Sequence, residues 1–333
     1  MIRQRLVWAA RIALSVLLLV LLFSLIDRQA LFSALIAVQP GTYALAVALY
    51  LGSVALAALR WHLILRAAGL PISLRQAIGI NLVGNFFSMF LPTAAGGDLA
   101  RVYEVSRHIE KGAEPASTVL LDRMVGLISV VLMALVSLVV GYRYVPDRAI
   151  LIGVIAVTAG LALAWRLIFS RRMLRHFRWI FRLPGIEKLE GAAGRTYTSL
   201  HALHNQPRLL VSALAVSLVV QILEILSAIV MARSFGLQAR SIEFFMFLPL
   251  IWIVTMLPVS LGGIGLREGA FVLFFGQVGI GSSAAVALSL LVYSGRIVAA
   301  ILGGLVFLQG SIRAPRKAAR QTPSDRMGWH SYR

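Results

Sequence analysis

The sequence predicts an all-α polytopic membrane protein with inverted-topology repeats, about six full spans and two broken re-entrant hairpins. Three observations carry this expectation. The chain of 333 residues is 59% hydrophobic and only 14% charged, with a mean hydropathy of +0.86, well above an ordinary soluble domain. Several apolar stretches reach the roughly 20 residues that cross a hydrocarbon core about 30 Å thick. One motif also occurs twice, as Pro92, Gly96, Gly97, Arg101 and again as Pro258, Gly262, Gly263, Arg267, at one offset of 166 residues (92 to 258, 101 to 267). Paired Gly/Pro interruptions at matching places in two halves are the sequence mark of a transporter's binding site.

Full spans are expected at about 6–26, 42–65, 116–141, 149–169, 208–234 and 283–311. The basic start and the apolar run at 12–26 resemble a secretory leader. However, Asp27-Arg28-Gln29 follows in place of a small-residue cleavage site, so a retained first span is expected. Two further apolar stretches, 76–92 and 242–258, are short and run directly into their Pro…Gly-Gly motifs.

The formal charge of +19 is placed where a membrane protein places it. Arg3, Arg5 and Arg11 flank the first span, and Arg60, Arg66 and Arg75 are assigned to the end of the second. Arg101, Arg107 and Lys111 follow the first broken segment. Arg171, Arg172, Arg175, Arg178, Arg182, Lys188, Arg195 and Arg208 crowd the long linker. The opposite loops are poorer in charge. This bias puts both termini in the cytoplasm of a cell inner membrane and argues against nucleic acid as the partner.

With that orientation, 76–104 must begin and end inside, and 242–278 must begin and end outside. Each is therefore expected as a hairpin, and the two copies have opposite orientation. Irregular backbone at membrane depth survives only when buried in protein or lining a wet cavity, so the hairpins are expected to meet around one. The chain thus divides into a first repeat at 1–145 and a second at 146–311. The second carries a basic linker at 170–207, where Met173, Phe177 and Trp179 among arginines suit an interfacial helix; a solvated connector is the alternative. The tail at 312–333 is expected to be disordered and cytoplasmic.

Glycine pairs free the backbone, and a helix restarting after them aims unpaired N–H groups at an anion. In Gly96-Gly97-Asp98-Leu99-Ala100-Arg101, Asp98 is expected as the N-cap and Arg101 as a bidentate cation. Gly262 and Gly263 with Arg267 and Glu268 repeat the arrangement without a cap. The alternative is that the glycines serve close helix packing and the arginines snorkel. Arg123, Glu224 and Arg296 lie deep inside spans, where an unpaired charge is costly and defaults to function or partnership. A Glu224–Arg296 salt bridge locking the bundle is the structural alternative.

Catalytic chemistry finds little support. The chain has no cysteine, no metal-ligand spacing among its histidines and no P-loop, dinucleotide fingerprint or hydrolase elbow. No cofactor, metal or catalytic residue is expected, and the protein is expected not to be an enzyme.

The stretch NLVGNFFSMFLPTAAGGDLARVYEVSRHIEKGAEPASTVLLDR at 81–123 and the later LPVSLGGIGLREGAF resemble the lysylphosphatidylglycerol synthase transmembrane, or flippase-like, family. The resemblance spans about residues 5–310. It implies movement of a lipid between leaflets, with membrane lipids bearing anionic headgroups as partners and lipid-biosynthetic enzymes as possible associates. Because the chain ends soon after its last span, the cytoplasmic synthase half found in multiple peptide resistance factors is expected to be absent. An intramembrane lipid-phosphate or polyprenyl-phosphate transferase, a small-molecule or ion transporter and a non-transporting accessory protein are the competing readings.

Because the chain lacks cysteine, topology is directly testable. Lys111→Cys in intact cells should be shielded from an impermeant external thiol reagent, while Gln238→Cys should be labelled. Labelling of Lys111→Cys without lysis would refute the first hairpin.

Overall fold

The computed structural model describes residues 27–90, 96–107, 114–141, 201–203, 205–256 and 263–310, with a few isolated positions besides. The expected spans at 6–26 and 149–169 lie almost wholly outside these residues. So do most of the 170–207 linker, the 312–333 tail, Pro92, Pro258 and Gly262.

The described chain is helical. After the short α1 (Arg28–Ile36) come α2 (Pro40–Ala67), α3 (Leu74–Phe90), α4 (Gly96–Ser106) and α5 (Glu114–Gly141). A second series follows: α6 (Pro207–Ser234), α7 (Ser241–Met256), α8 (Leu266–Gly276) and α9 (Ser282–Leu308). The four long helices α2, α5, α6 and α9 are apolar and long enough to cross a membrane; 28 residues of helix extend about 42 Å. The two series match in element length, at 28, 17, 11 and 28 residues against 28, 16, 11 and 27. Both α2 and α6 also open with proline in the first turn, where its missing N–H costs nothing.

Each motif runs into the second of two short helices that pack on one another, α3 with α4 and α7 with α8. The two pairs are joined by different means. At the first, Gly97 faces Gly84, and a Cβ on Gly97 would stand 2.3 Å from the Gly84 carbonyl oxygen and 2.0 Å from Ser88 Oγ. Only hydrogen fits there. At the second, Phe247 packs on Phe274 and Phe275, while Phe275 also meets Phe244 and Phe271. All five rings are buried and form much of the largest apolar core.

The two series then exchange helices. α9, from the second, packs on α3, from the first. A Cβ on Gly303 would stand 2.0 Å from the Leu82 carbonyl oxygen, and Gly304 lies against the Phe86 ring. Conversely, α5 packs on α7. Pro249 sits inside α7, so the carbonyl of Phe245, four residues back, has no intrahelical donor. The Ser137 hydroxyl of α5 lies 2.8 Å from that carbonyl and shares its proton between it and the Met133 carbonyl of its own helix, at 2.7 Å. In an apolar interior a freed carbonyl must find such a partner.

This pairing predicts a double-mutant cycle. Ser137→Ala should destabilise by about 1–3 kcal/mol, the cost of a buried unpaired group. On a Pro249→Ala background, which restores the α7 N–H, the same change should cost much less. Thermal unfolding of the four proteins in one detergent measures the difference.

Candidate functional site

Between the two series lies a cavity of about 390 Å³. Its polar lining is Arg60 from α2, Asp122 and Arg123 from α5, Gln221 and Glu224 from α6, Arg267 from α8 and Arg296 from α9. Thr255 and Trp252 of α7, Tyr293 of α9 and the backbone at Gly263 complete it, with an apolar patch from Val130, Ile251, Met256 and Phe271. Four arginines therefore face two carboxylates across a space the size of a small ligand site.

The arginines are held very differently. Asp122, buried to 4% side-chain exposure, accepts from Arg60 Nε at 2.7 Å through one oxygen and from Arg101 Nη2 at 2.8 Å through the other. Arg60 also donates to Ser217 Oγ at 2.9 Å. Arg101 lies over the Trp61 ring at 4.0 Å, a cation–π contact that suits a desolvated guanidinium. Asp98 stands 3.7 Å from Arg101 and accepts from Arg123 Nε at 2.8 Å. These contacts form one chain of charges: Arg60, Asp122, Arg101, Asp98, Arg123. It joins α2, α4 and α5, and through Ser217 it reaches α6.

The first motif therefore does not open on the cavity. Gly96, Gly97 and Arg101 are buried, and Arg101 acts behind the lining through Asp122. Asp98 was expected as an N-cap. The helix instead begins at Gly96, and Asp98 is its third residue, well placed near the positive helix end but committed to arginines.

The second motif does reach the cavity. Gly263 has φ +79° and Gly265 +80°, a left-handed backbone that favours glycine. Arg267 bonds Glu268, donates to Ser289 Oγ at 3.3 Å and lies over the Tyr293 ring at 3.9 Å. Glu268 is buried, and its Oε2 accepts from the Gly265 N–H at 2.7 Å. As expected, the second copy has no N-cap side chain, its N-cap being Gly265; Glu268 instead reaches back to close the turn before α8, as the acidic member of a capping box does.

Arg123 is half exposed at 49%, and Arg296 is also exposed where it lines the cavity. Glu224 has Arg296 and Arg60 as its opposite charges. No contact ion pair joins it to Arg296 among the described residues, so the alternative of a Glu224–Arg296 lock is not present in that form. The two hairpins are expected to meet around the cavity; among the described residues the second lines it and the first does not. Among the described residues no group of histidines and carboxylates is arranged to hold a metal.

Sequence reading missed Arg60, Trp61, Ser217 and Gln221. Arg60 was counted with the cytoplasmic charges after the second span. Since α2 continues to Ala67, Arg60 lies about two turns inside it. That depth was the available signal.

A model of the lysylphosphatidylglycerol synthase TM region matches residues 8–304. The chain belongs to that family. It is 25% identical over 300 residues to a UPF0104 membrane protein of Methanothermobacter thermautotrophicus, covering 84% of this chain and 88% of the relative. It is 24% identical over 290 residues to a UPF0104 membrane protein of Pyrococcus horikoshii, covering 80% and 86%. No solved structure matches the chain. Family membership and the long apolar helices make this a multi-pass membrane protein.

The charge chain predicts unequal costs. Asp122→Ala leaves Arg60 and Arg101 buried without their shared partner and should destabilise by about 3–5 kcal/mol. Arg123→Ala, at a half-exposed position, should cost under about 1 kcal/mol. Unfolding midpoints of the two variants in one detergent give the comparison.

Proposed function

We propose that this protein moves a lipid with an anionic headgroup between the leaflets of the cell inner membrane, with the cavity as its headgroup site. The observation that carries the proposal is the cavity lining, where arginines from α2, α5, α8 and α9 converge beside a glycine-broken segment. Arginine forks match phosphate oxygens in pairs, and the apolar patch tolerates the start of an acyl chain. The family description, a lysylphosphatidylglycerol synthase TM region, supports a lipid as the cargo.

In this reading Arg267, Arg296 and Arg123 bind phosphate, while Arg101 and Arg60 hold the wall against which it binds. The two series are inverted repeats with both termini cytoplasmic, and the broken segments are re-entrant. The protein carries out no chemistry of its own. It either transports alone or serves lipid-biosynthetic enzymes as an accessory. A lipid-phosphate transferase reading is kept apart by its readout, a chemically changed product.

Arg267→Ala and Arg296→Ala should each lower translocation of a fluorescent phospholipid at least about tenfold, one lost charged contact being of that order. Both proteins should remain monodisperse. Arg267→Lys should recover only part of the rate, because an ammonium keeps the charge but loses the fork. Reductant accessibility in proteoliposomes is the assay. Wild-type rates in well-folded Arg267→Ala and Arg296→Ala proteins would remove the headgroup role.

A further inference from the structure

Two acceptors on α6 line the cavity with hydrogen-bonding capacity that the protein leaves unused. Gln221 is 7% exposed. Its Nε2 donates to Ser129 Oγ at 3.2 Å, while its Oε1 is buried without a partner. The Ser129 hydroxyl donates to the Gly126 carbonyl at 2.7 Å and accepts from Gln221, which leaves the amide oxygen as the unpaired atom. Glu224 lies three residues on, a neighbour on the helix surface. It makes no hydrogen bond or contact ion pair among the described residues, and of its opposite charges Arg60 is already committed to Asp122 and Ser217.

A site built for a bare phosphate gains nothing from these groups. A carboxylate repels a neighbouring phosphate whenever it is ionised, and a buried carbonyl oxygen without a donor is unfavourable. Both costs are offset if the ligand brings donors as well as an anion. We propose that Gln221 and Glu224 select the headgroup by accepting hydrogen bonds from hydroxyl or ammonium groups attached to the phosphodiester that the arginines hold. The substrate class is then a phosphodiester lipid whose headgroup ends in hydrogen-bond donors. This rests on the translocation reading for the phosphate and adds the other half of the recognition.

The test uses the purified full chain and three dioctanoyl lipids with the same tails and the same phosphodiester. Phosphatidylmethanol offers no donor, phosphatidylglycerol offers hydroxyls and phosphatidylethanolamine offers an ammonium. Titration by native mass spectrometry should show the two donor-bearing lipids binding at least about tenfold tighter than phosphatidylmethanol, the value of one hydrogen bond to a charged group. Glu224→Gln keeps an acceptor but not its charge, so it should reduce the phosphatidylethanolamine ratio more than the phosphatidylglycerol ratio. Gln221→Leu should bring both ratios toward one. Equal binding of the three lipids by the wild-type protein overturns this proposal and leaves the translocation reading standing. Binding of none of them overturns both. The wild-type comparison decides even if a variant fails to fold.

Discussion

The carboxylate of Asp122 is the interaction on which the centre of this protein depends. Charge in a medium of low polarity must be matched at contact distance, and here one anion matches two cations. Each of its oxygens takes one guanidinium, Arg60 from α2 and Arg101 from α4. Those two bonds tie three helices together, and the bond from Arg60 to Ser217 adds α6. Trp61 supplies a face for Arg101 that needs no water. With its partners consumed in this way, Arg101 is a wall and not a hand. The cations left to face the cavity are those whose carboxylates lie to one side, as Glu268 does for Arg267.

The duplicated motif shows how one sequence pattern can meet two physical requirements. In the first copy, Gly97 is a glycine because two helix backbones touch there. In the second, a Cβ on Gly263 would meet Thr255 at an ordinary contact distance of 3.8 Å, and the residue is a glycine because of its left-handed φ. Joining is divided in the same manner, by backbone contact at Gly84 and Gly97 and by a cluster of phenylalanines in α7 and α8. Matching element lengths are thus filled by unlike interactions, and among the described residues only the second helix pair meets the central space.

Much of the frame was legible in the sequence. Apolar length alone places α2, α5, α6 and α9 within three residues of the expected 42–65, 116–141, 208–234 and 283–311, because hydrocarbon thickness sets both length and composition. Gly/Pro punctuation locates both breaks. The partnerships were not legible. Asp122 and Arg123 adjoin in sequence, yet successive helical residues point about 100° apart. One therefore meets Arg60 and Arg101 while the other meets Asp98. Glu224 and Arg296 look like a pair on depth and sign alone, but contact depends on helix rotation. Gln221 and Trp61 are ordinary span residues until a neighbouring helix gives them a role.

The exchange of helices between the two series bears on how the chain is made. The surface of α3 around Leu82 and Phe86 is shaped for Gly303 and Gly304 of α9, made more than 200 residues later in the chain. The α5 hydroxyl at Ser137 is in place before the Phe245 carbonyl exists. During insertion, then, the first half is complete in sequence but bare on one face, and the second arrives to a surface already built. Such a half-made protein exposes a helix groove within the bilayer for as long as synthesis of the rest takes. Within the bilayer, lipid fills that groove until α9 arrives.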